Sequence, residues 1–238
     1  MGCNYHKLDG TMIILTGASG GIGKAILPML AKLDNVIAIY HSKYPDIKGL
    51  DGASAYQMDI TSENQVNKFI EIMKGKLAKP VLIHAAALSR DGLVADYDTE
   101  DWEQVINVNL RGDFLLTKAT LKLMISENWG RIIHISSVAG MRGIPGTIAY
   151  STAKTGLIGM SRVLANEYAR FGITSNVIIL GYFNTGLIET LSEKMRNKII
   201  GSIPSGHLGE PKNIVNAIDF IMKSEYANGS SISLDGGI

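Results

Sequence analysis

The sequence predicts an α/β protein, a single domain with a doubly wound parallel sheet of about seven strands and helices on both faces. Three observations predict it. Short apolar runs bounded by turn residues alternate with helix-length segments, the order that produces right-handed crossovers between parallel strands. Several runs are unbroken, as in Met12-Ile13-Ile14-Leu15 and Val177-Ile178-Ile179-Leu180, the pattern of strands covered on both faces. The length of 238 residues suits one such unit and needs neither disulfides nor metals to build its core.

In chain order the strand-like runs cover residues 12–15, 36–40, 53–58, 81–85, 131–136, 174–180 and 231–234. Helix-like segments cover 21–33, 62–76, 102–127, 149–171 and 211–222. Ser62 is placed to cap its helix, with Gln65 three residues on as a capping box requires. Pro211 suits a first helical turn. No repeat, low-complexity stretch or linker divides the chain, so residues 1–238 read as one unit with a substrate-loop insertion at about 182–205. In such a Rossmann-like sheet, ligands bind beyond the carboxyl ends of the strands.

Composition narrows the partners. With 23 Lys+Arg against 22 Asp+Glu, the net charge is +1, which lacks the basic surplus that phosphate backbones require, so nucleic acid is not expected. Only 19% of residues are charged and no charge run appears, which argues against disorder. One cysteine, Cys3, excludes an intramolecular disulfide and a Cys-rich metal site, and no metal is expected. No apolar run reaches the roughly 18 residues of a membrane span, and Asn4, Tyr5, His6, Lys7 and Asp9 interrupt any signal-type stretch. Met1-Gly2-Cys3 invites an acylation reading, but His6 stands where myristoylation wants Ser or Thr. A cytoplasmic setting without membrane attachment is the expectation.

Function is concentrated at strand ends. Thr16-Gly17-Ala18-Ser19-Gly20-Gly21-Ile22-Gly23 follows the first strand and opens a helix. Glycines let the backbone turn tightly and approach a ligand. The free N–H groups and positive dipole end of the helix favour a diphosphate. No Lys-Ser/Thr pair closes the loop, so a nucleoside-triphosphate loop is disfavoured. A tight turn without ligand is the plainer alternative. The spacing of Gly17, Gly21 and Gly23 is one residue longer than the standard dinucleotide fingerprint, and this variant resembles the short-chain dehydrogenase/reductase family.

Tyr150 and Lys154 stand four apart and share one helix face. An ammonium beside a phenol favours its anionic form, and a phenol so tuned can act as general acid or base. An ordinary surface pair is the alternative for these two residues alone. Ser136 and Ser137 end the fifth strand-like run; the serine–tyrosine spacing of the resembled family selects Ser137, whose hydroxyl can polarise a substrate carbonyl. Asn109 fits the family's fourth catalytic position and can hold a water linking Lys154 to solvent. A helix-bending or capping Asn is the alternative.

The resemblance runs from Met12 to Gly237 and is strongest to the β-ketoacyl-carrier-protein reductase type. It implies NADPH-dependent hydride transfer to a ketone, most simply a 3-oxoacyl thioester, with Tyr150 donating the proton. An NAD(P)-dependent dehydrogenase of a sugar, polyol or other secondary alcohol is the alternative, and a non-catalytic NADP(H) sensor a third. The implied cofactor contacts are Gly17, Ser19, Gly20, Gly21, Ile22 and Gly23 in the first loop, Asp59 and Ile60 after the third strand, Ala85 and Ala86 after the fourth, Tyr150 and Lys154, and Gly181 and Thr185 after the sixth. At the end of the second strand, Tyr40, His41, Ser42 and Lys43 include no acid. A carboxylate there would bind a ribose 2′-hydroxyl and repel a 2′-phosphate; Ser42 and Lys43 can meet the phosphate instead. NADP(H) is therefore expected over NAD(H).

Three departures accompany the likeness. His84-Ala85-Ala86-Ala87 replaces the family's Asn-Asn-Ala-Gly, so the packing on the cofactor side is expected to differ. Leu180-Gly181 replaces Pro-Gly. Asn128 and Phe171 stand near positions where carrier-protein reductases place basic residues, which weakens the case for a carrier-protein substrate. The resemblance also implies a homo-oligomer, tetramer or dimer, built on the two long helices. Residues 182–205 carry Phe183, Leu187, Leu191, Met195 and Ile199 at roughly helical spacing, as either plain core or a lid over the substrate.

Overall fold

The computed structural model describes residues 10–238, except the side chains of Leu187 and Glu189. The acylation and signal-segment readings, with Cys3, lie outside the described residues. Among those residues seven strands form one all-parallel sheet: β1 (Met12–Thr16), β2 (Asn35–Tyr40), β3 (Ala53–Gln57), β4 (Pro80–His84), β5 (Gly130–Ser137), β6 (Ile173–Leu180) and β7 (Ser231–Leu234). Their order is β3-β2-β1-β4-β5-β6-β7. The chain winds outward from β1 to β3, then returns to the centre and winds the other way from β4. The point of reversal, between β1 and β4, is where such sheets open a ligand crevice.

Alternate residues of each strand serve opposite faces. Ile13 and Leu15 of β1 join α1 (Gly21–Leu33) and α8 (Pro211–Lys223) in one core, with Ile26, Leu30, Ile214 and Ile218. Ile14 joins α2 (Glu63–Met73) and α4 (Gly112–Glu127) in the other, through Val66, Phe69, Leu116 and Met124. Double coverage explains the unbroken apolar runs: no strand at the centre has a wet face. The remaining helices are α3 (Thr99–Ile106), α5 (Ala139–Arg142), α6 (Ile148–Tyr168) and α7 (Glu193–Gly201). No helix among the described residues is long and apolar enough to cross a membrane.

The long helix expected over 102–127 differs from the structure in two ways. It begins at Thr99, because Asp98 caps it by accepting from the Glu100 N–H at 2.7 Å. It is also interrupted by a π-helical turn at Asn107–Arg111. The Asn109 side chain donates to the Val105 carbonyl at 2.8 Å, competing for an acceptor the α-helical ladder would use. The Gly112 N–H instead reaches back five residues to the Asn107 carbonyl. At α2, the Ser62 hydroxyl accepts from the Gln65 N–H at 3.4 Å, but the Gln65 side chain accepts from the Asp59 N–H. The reciprocal half of the expected box is thus diverted to hold the loop after β3, and the helix ends at Met73.

Candidate active site

A cavity of about 910 Å³ opens along the carboxyl ends of the central strands. One end is built from backbone. After β1 the chain turns at Gly17, whose φ is +66°. A Cβ there would stand 2.6 Å from the Ala86 Cα. At Gly21 a Cβ would meet the Gly186 Cα at 2.5 Å, and at Gly23 it would strike the Gly17 carbonyl. The Gly20 N–H closes the loop onto the Gly17 carbonyl at 2.9 Å. Helix α1 starts with no side-chain cap and no acidic residue in its first turn, so its leading N–H groups remain available to an anion. This cradle fits a dinucleotide diphosphate. The Thr16 hydroxyl accepts from the N–H groups of Ala85 and Ala86, each at 3.1 Å, and ties the loop after β4 to the cradle.

Other strand ends line the same space. Tyr40 ends β2 and His41 and Ser42 follow it, and Asp59 and Ile60 follow β3. The Asp59 carboxylate is engaged by the N–H and hydroxyl of Thr61 at 2.9 and 2.7 Å. Gly181 and Thr185 follow β6, and the Thr185 hydroxyl donates to the Gly21 carbonyl at 2.9 Å. Lys43 is exposed and stands next to this lining without being part of it.

The other end is built from side chains. Tyr150 and Lys154 lie on the first turns of α6 and both face the cavity. The Lys154 ammonium is 5.6 Å from the centre of the Tyr150 ring. Lys154 is buried, and its Nζ donates to the Ile135 carbonyl at 2.8 Å. The two adjacent serines have different tasks. The Ser136 hydroxyl is buried and donates to the Lys154 carbonyl at 2.8 Å. The Ser137 hydroxyl accepts from the Ala139 N–H at 3.2 Å and keeps its own proton for a further partner. Beyond them Leu88, Val138, Ile144, Ile188, Leu191 and Ile199 form an apolar stretch of wall, with Ser89, Asp91, Thr147 and Tyr182 beside it on the same lining.

Residues 11–196 match the model of the short chain dehydrogenase family. The chain belongs to this family. It is 35% identical to a 3-oxoacyl-(acyl-carrier-protein) reductase of Aquifex aeolicus over 98% of both chains. A reductase of the same name from Thermotoga maritima is also 35% identical, over 98% of this chain and 99% of the relative. A (3R)-3-hydroxyacyl-CoA dehydrogenase of Canis lupus familiaris is 32% identical over 98% and 97%. The chain is an NAD(P)-dependent short-chain oxidoreductase.

Within this oxidoreductase the sequence-derived residues divide into two groups. Ser137, Tyr150, Lys154, the glycine loop from Gly17 to Ile22 and the strand-end residues meet at the one cavity. Asn109 does not line it. It is fully buried, with its amide donating to the carbonyls of Leu88 at 2.7 Å and Val105, while its Oδ1 accepts from the Leu88 N–H at 3.3 Å. Both N–H donors are consumed, so only Oδ1 has capacity for a water. Gly23 is likewise a packing glycine behind the lining. His84 does not face the cofactor side at all; its ring is buried on the α4 face, and of that motif Ala85, Ala86 and Ala87 meet the cavity.

Sequence reasoning missed most of the apolar wall. Leu88, Ile144 and Ile188 sit in loops and short turns where no periodicity marks them. In the segment after β6, Phe183 and Ile188 are buried, Leu191 and Ile199 pack beside Ile203 and Leu208, and Met195 is exposed. The Leu187 side chain lies outside the described residues. The stripe is both core and wall: the residues that close a small cluster also present edges to the cavity.

Proposed function

We propose that this protein is an NADPH-dependent reductase of 3-oxoacyl thioesters. The observation that carries the reading is the meeting, in one cavity, of a glycine cradle, the Ser137–Tyr150–Lys154 group and an apolar wall. When bound, the nicotinamide supplies the hydride, and the protein supplies position and electrostatics. The cradle from Gly17 to Gly21 and the α1 terminus would hold the diphosphate, Asp59 and Ile60 the adenine end, and Gly181 and Thr185 the nicotinamide end.

The chain's own residues divide the remaining work. The Ser137 hydroxyl donates to the substrate carbonyl oxygen and fixes its direction. Tyr150 delivers its phenolic proton to that oxygen as negative charge develops there. The Lys154 ammonium, held in place by the Ile135 carbonyl, stabilises the charge left on the phenol oxygen. Asn109 supports this arrangement from behind, through Leu88 and through the free capacity of its Oδ1 for a relay water. A general acid of this kind is worth about 10²- to 10⁴-fold in rate, and Tyr150→Phe should lose that much.

The apolar stretch of wall suits an acyl chain, while Ser89, Asp91, Thr147 and Tyr182 beside it could serve the hydroxyls of a sugar or polyol, so the alcohol dehydrogenase is the reading the assay must exclude. The names of the relatives point to one shared chemistry, interconversion of 3-oxo and 3-hydroxyacyl thioesters, on two different carriers. Asn128 and Phe171 in place of basic residues weaken the case for acyl-carrier protein, although the exposed Arg170 and Lys122 lie nearby in the sequence, so both carriers belong in the test. Cofactor choice rests on Ser42 and Lys43 and on the lack of an acid among residues 40–43 at the end of β2. The reading includes a cytoplasmic homo-oligomer.

The test is steady-state oxidation of NADPH and NADH with an acetoacetyl thioester carried on CoA and on acyl-carrier protein. Turnover with NADPH on either carrier supports the reading. NADPH binding without turnover, together with oxidation of secondary alcohols in the reverse direction, would replace it by the alcohol dehydrogenase reading.

A further inference from the structure

Behind the cavity, on the α4 face of the sheet, lies a group of buried ionisable side chains that the proposed chemistry does not use. His84 at the end of β4 and His134 in β5 are register partners across the parallel ladder. Their rings stack at 5.0 Å with 8° between planes. Asp113, in the first turn of α4, touches both: Oδ1 lies 3.4 Å from the His84 Nδ1 and Oδ2 lies 3.5 Å from the His134 Nδ1. None of the three is more than 1% exposed. One turn further along α4, the Thr117 hydroxyl meets the His84 Nε2 at 2.9 Å. The group does not line the cavity and is not arranged to hold a metal ion.

Burial pushes the Asp113 carboxyl up, but the charge of His84 and the contacts with His134 and His84 outweigh it and hold the carboxyl below its ordinary range. Burial dominates at His134 and pushes that imidazole below its ordinary range. The charged and titratable groups acting on His134 are His84 from β4, Asp113 from α4 and Lys154 from α6. An ionised carboxylate between two imidazoles is a poor filler for a core, since apolar side chains of similar volume do that at lower cost. Its contacts are at the long limit of an ion pair, and the His84 Nδ1, the Asp113 Oδ1 and both ring nitrogens of His134 have no hydrogen-bond partner, so the group joins β4, β5 and α4 by charge and ring stacking rather than by hydrogen bonds.

We propose that His84, Asp113 and His134 form a clasp that positions Asn109 and Lys154 for proton delivery. Asn109 and Asp113 are four residues apart on the helix that passes through the π turn. A π turn loosens the regular ladder, and the phase of the helix there needs an anchor. The clasp ties the first turn of α4 to the end of β4 and to the middle of β5. From His84 the chain runs on to Leu88, whose N–H and carbonyl both bond the Asn109 amide. From His134 it runs to Ile135, whose carbonyl holds the Lys154 ammonium, and to Ser136, whose hydroxyl holds the Lys154 carbonyl. Each arm thus ends a few residues from a group that fixes Asn109 or Lys154. The three are positioning residues, and the inference rests on the roles proposed above for Asn109 and Lys154.

The test is a double-mutant cycle between Asp113→Asn and Asn109→Ala in the full chain, read with NADPH and an acetoacetyl thioester. Asp113→Asn keeps the volume and removes the charge. It should lower kcat about tenfold, the scale of a small misplacement of a reacting group, and leave Kd for NADPH within about twofold. In the Asn109→Ala background the same change should cost about threefold or less, the part carried by the arm to Lys154, because coupled residues are non-additive. Unchanged kcat, equal fold losses in both backgrounds, or a loss of NADPH affinity matching the loss in kcat would overturn the clasp. Asn109→Ala with full activity would sink the relay reading beneath it instead. Should Asp113→Asn fail to fold, His134→Asn removes one arm and is read in the same cycle.

Discussion

The glycine cradle after β1 and the histidine clasp behind β4 and β5 occupy neighbouring strands and hold reactive geometry by opposite means. The cradle acts by backbone alone. Its glycines are required because a Cβ at Gly17, Gly21 or Gly23 has nowhere to go, and its electrostatics come from unpaired N–H groups at a helix start. The clasp acts by side chains. Its charge is buried, its contacts join residues far apart in sequence, and it uses no special backbone conformation. The difference teaches that a site of this kind can be rigid at the cofactor because of sterics and rigid at the proton donor because of charge. Those two sources of rigidity should fail under different perturbations.

The largest break should come in the cradle. Gly17→Ala combines a positive φ with a 2.6 Å approach to Ala86, a strain of about 3 kcal/mol. Titration of NADPH fluorescence should show binding weakened about 100-fold, the equivalent of that strain. Unchanged affinity would mean that the loop after β4 yields easily, and the contrast between the two regions would weaken. Lys43→Ala should sharpen the picture of the cradle's outer end. It removes one phosphate-pairing charge, so Kd for NADPH should rise about tenfold with Kd for NADH unchanged. Equal losses for both would remove the 2′-phosphate assignment.

The clasp should instead respond to pH. Burial holds the folded-state pKa of His134 below its unfolded value, so the unfolded chain takes up the proton first. Stability should therefore fall as pH drops below about 6.5, with a slope of up to about 1.4 kcal/mol per pH unit. Asp113, whose folded pKa is depressed, adds a further loss of the same sign below about pH 4. Tm followed from pH 8 to pH 5 should decline in the wild-type chain and decline less in His134→Asn. Parallel curves would show that His134 is not the group responsible. Far from both regions, Ser62→Ala removes a long cap bond at α2. Chemical denaturation should report a loss of about 0.5–1 kcal/mol with activity unchanged.

The two regions also differ in how far they can be read from the sequence. The cradle is local: eight consecutive residues between a strand and a helix carry its whole logic, and the fold around it follows from apolar runs and turn residues. The Tyr150–Lys154 pair is local for the same reason, being one helical turn. The choice of Ser137 over Ser136 needed a family spacing, and the structure gives a physical ground for it: Ser136 is committed to the Lys154 carbonyl. The π turn was not legible, because it arises from competition between the Asn109 side chain and the backbone for one carbonyl. The clasp was not legible either. His84 is visible in the chain only as a departure from a motif, and its meaning depends on the register that sets it beside His134 and on a helix that brings Asp113 to both. Of the apolar wall, Leu191 and Ile199 were legible through helical spacing, whereas Leu88, Ile144 and Ile188 come from loops and short turns, where no period identifies them.

The account stands on Tyr150 as the proton donor to a ketone bound in the cavity. Its most direct test is a single turnover. Wild-type protein and Tyr150→Phe, each preloaded with NADPH, are mixed with an acetoacetyl thioester while nicotinamide fluorescence is followed. The account predicts equal NADPH affinity for the two proteins, rapid loss of fluorescence in the wild type, and a rate at least about 100-fold lower in the variant. A variant that turns over at the wild-type rate would contradict it.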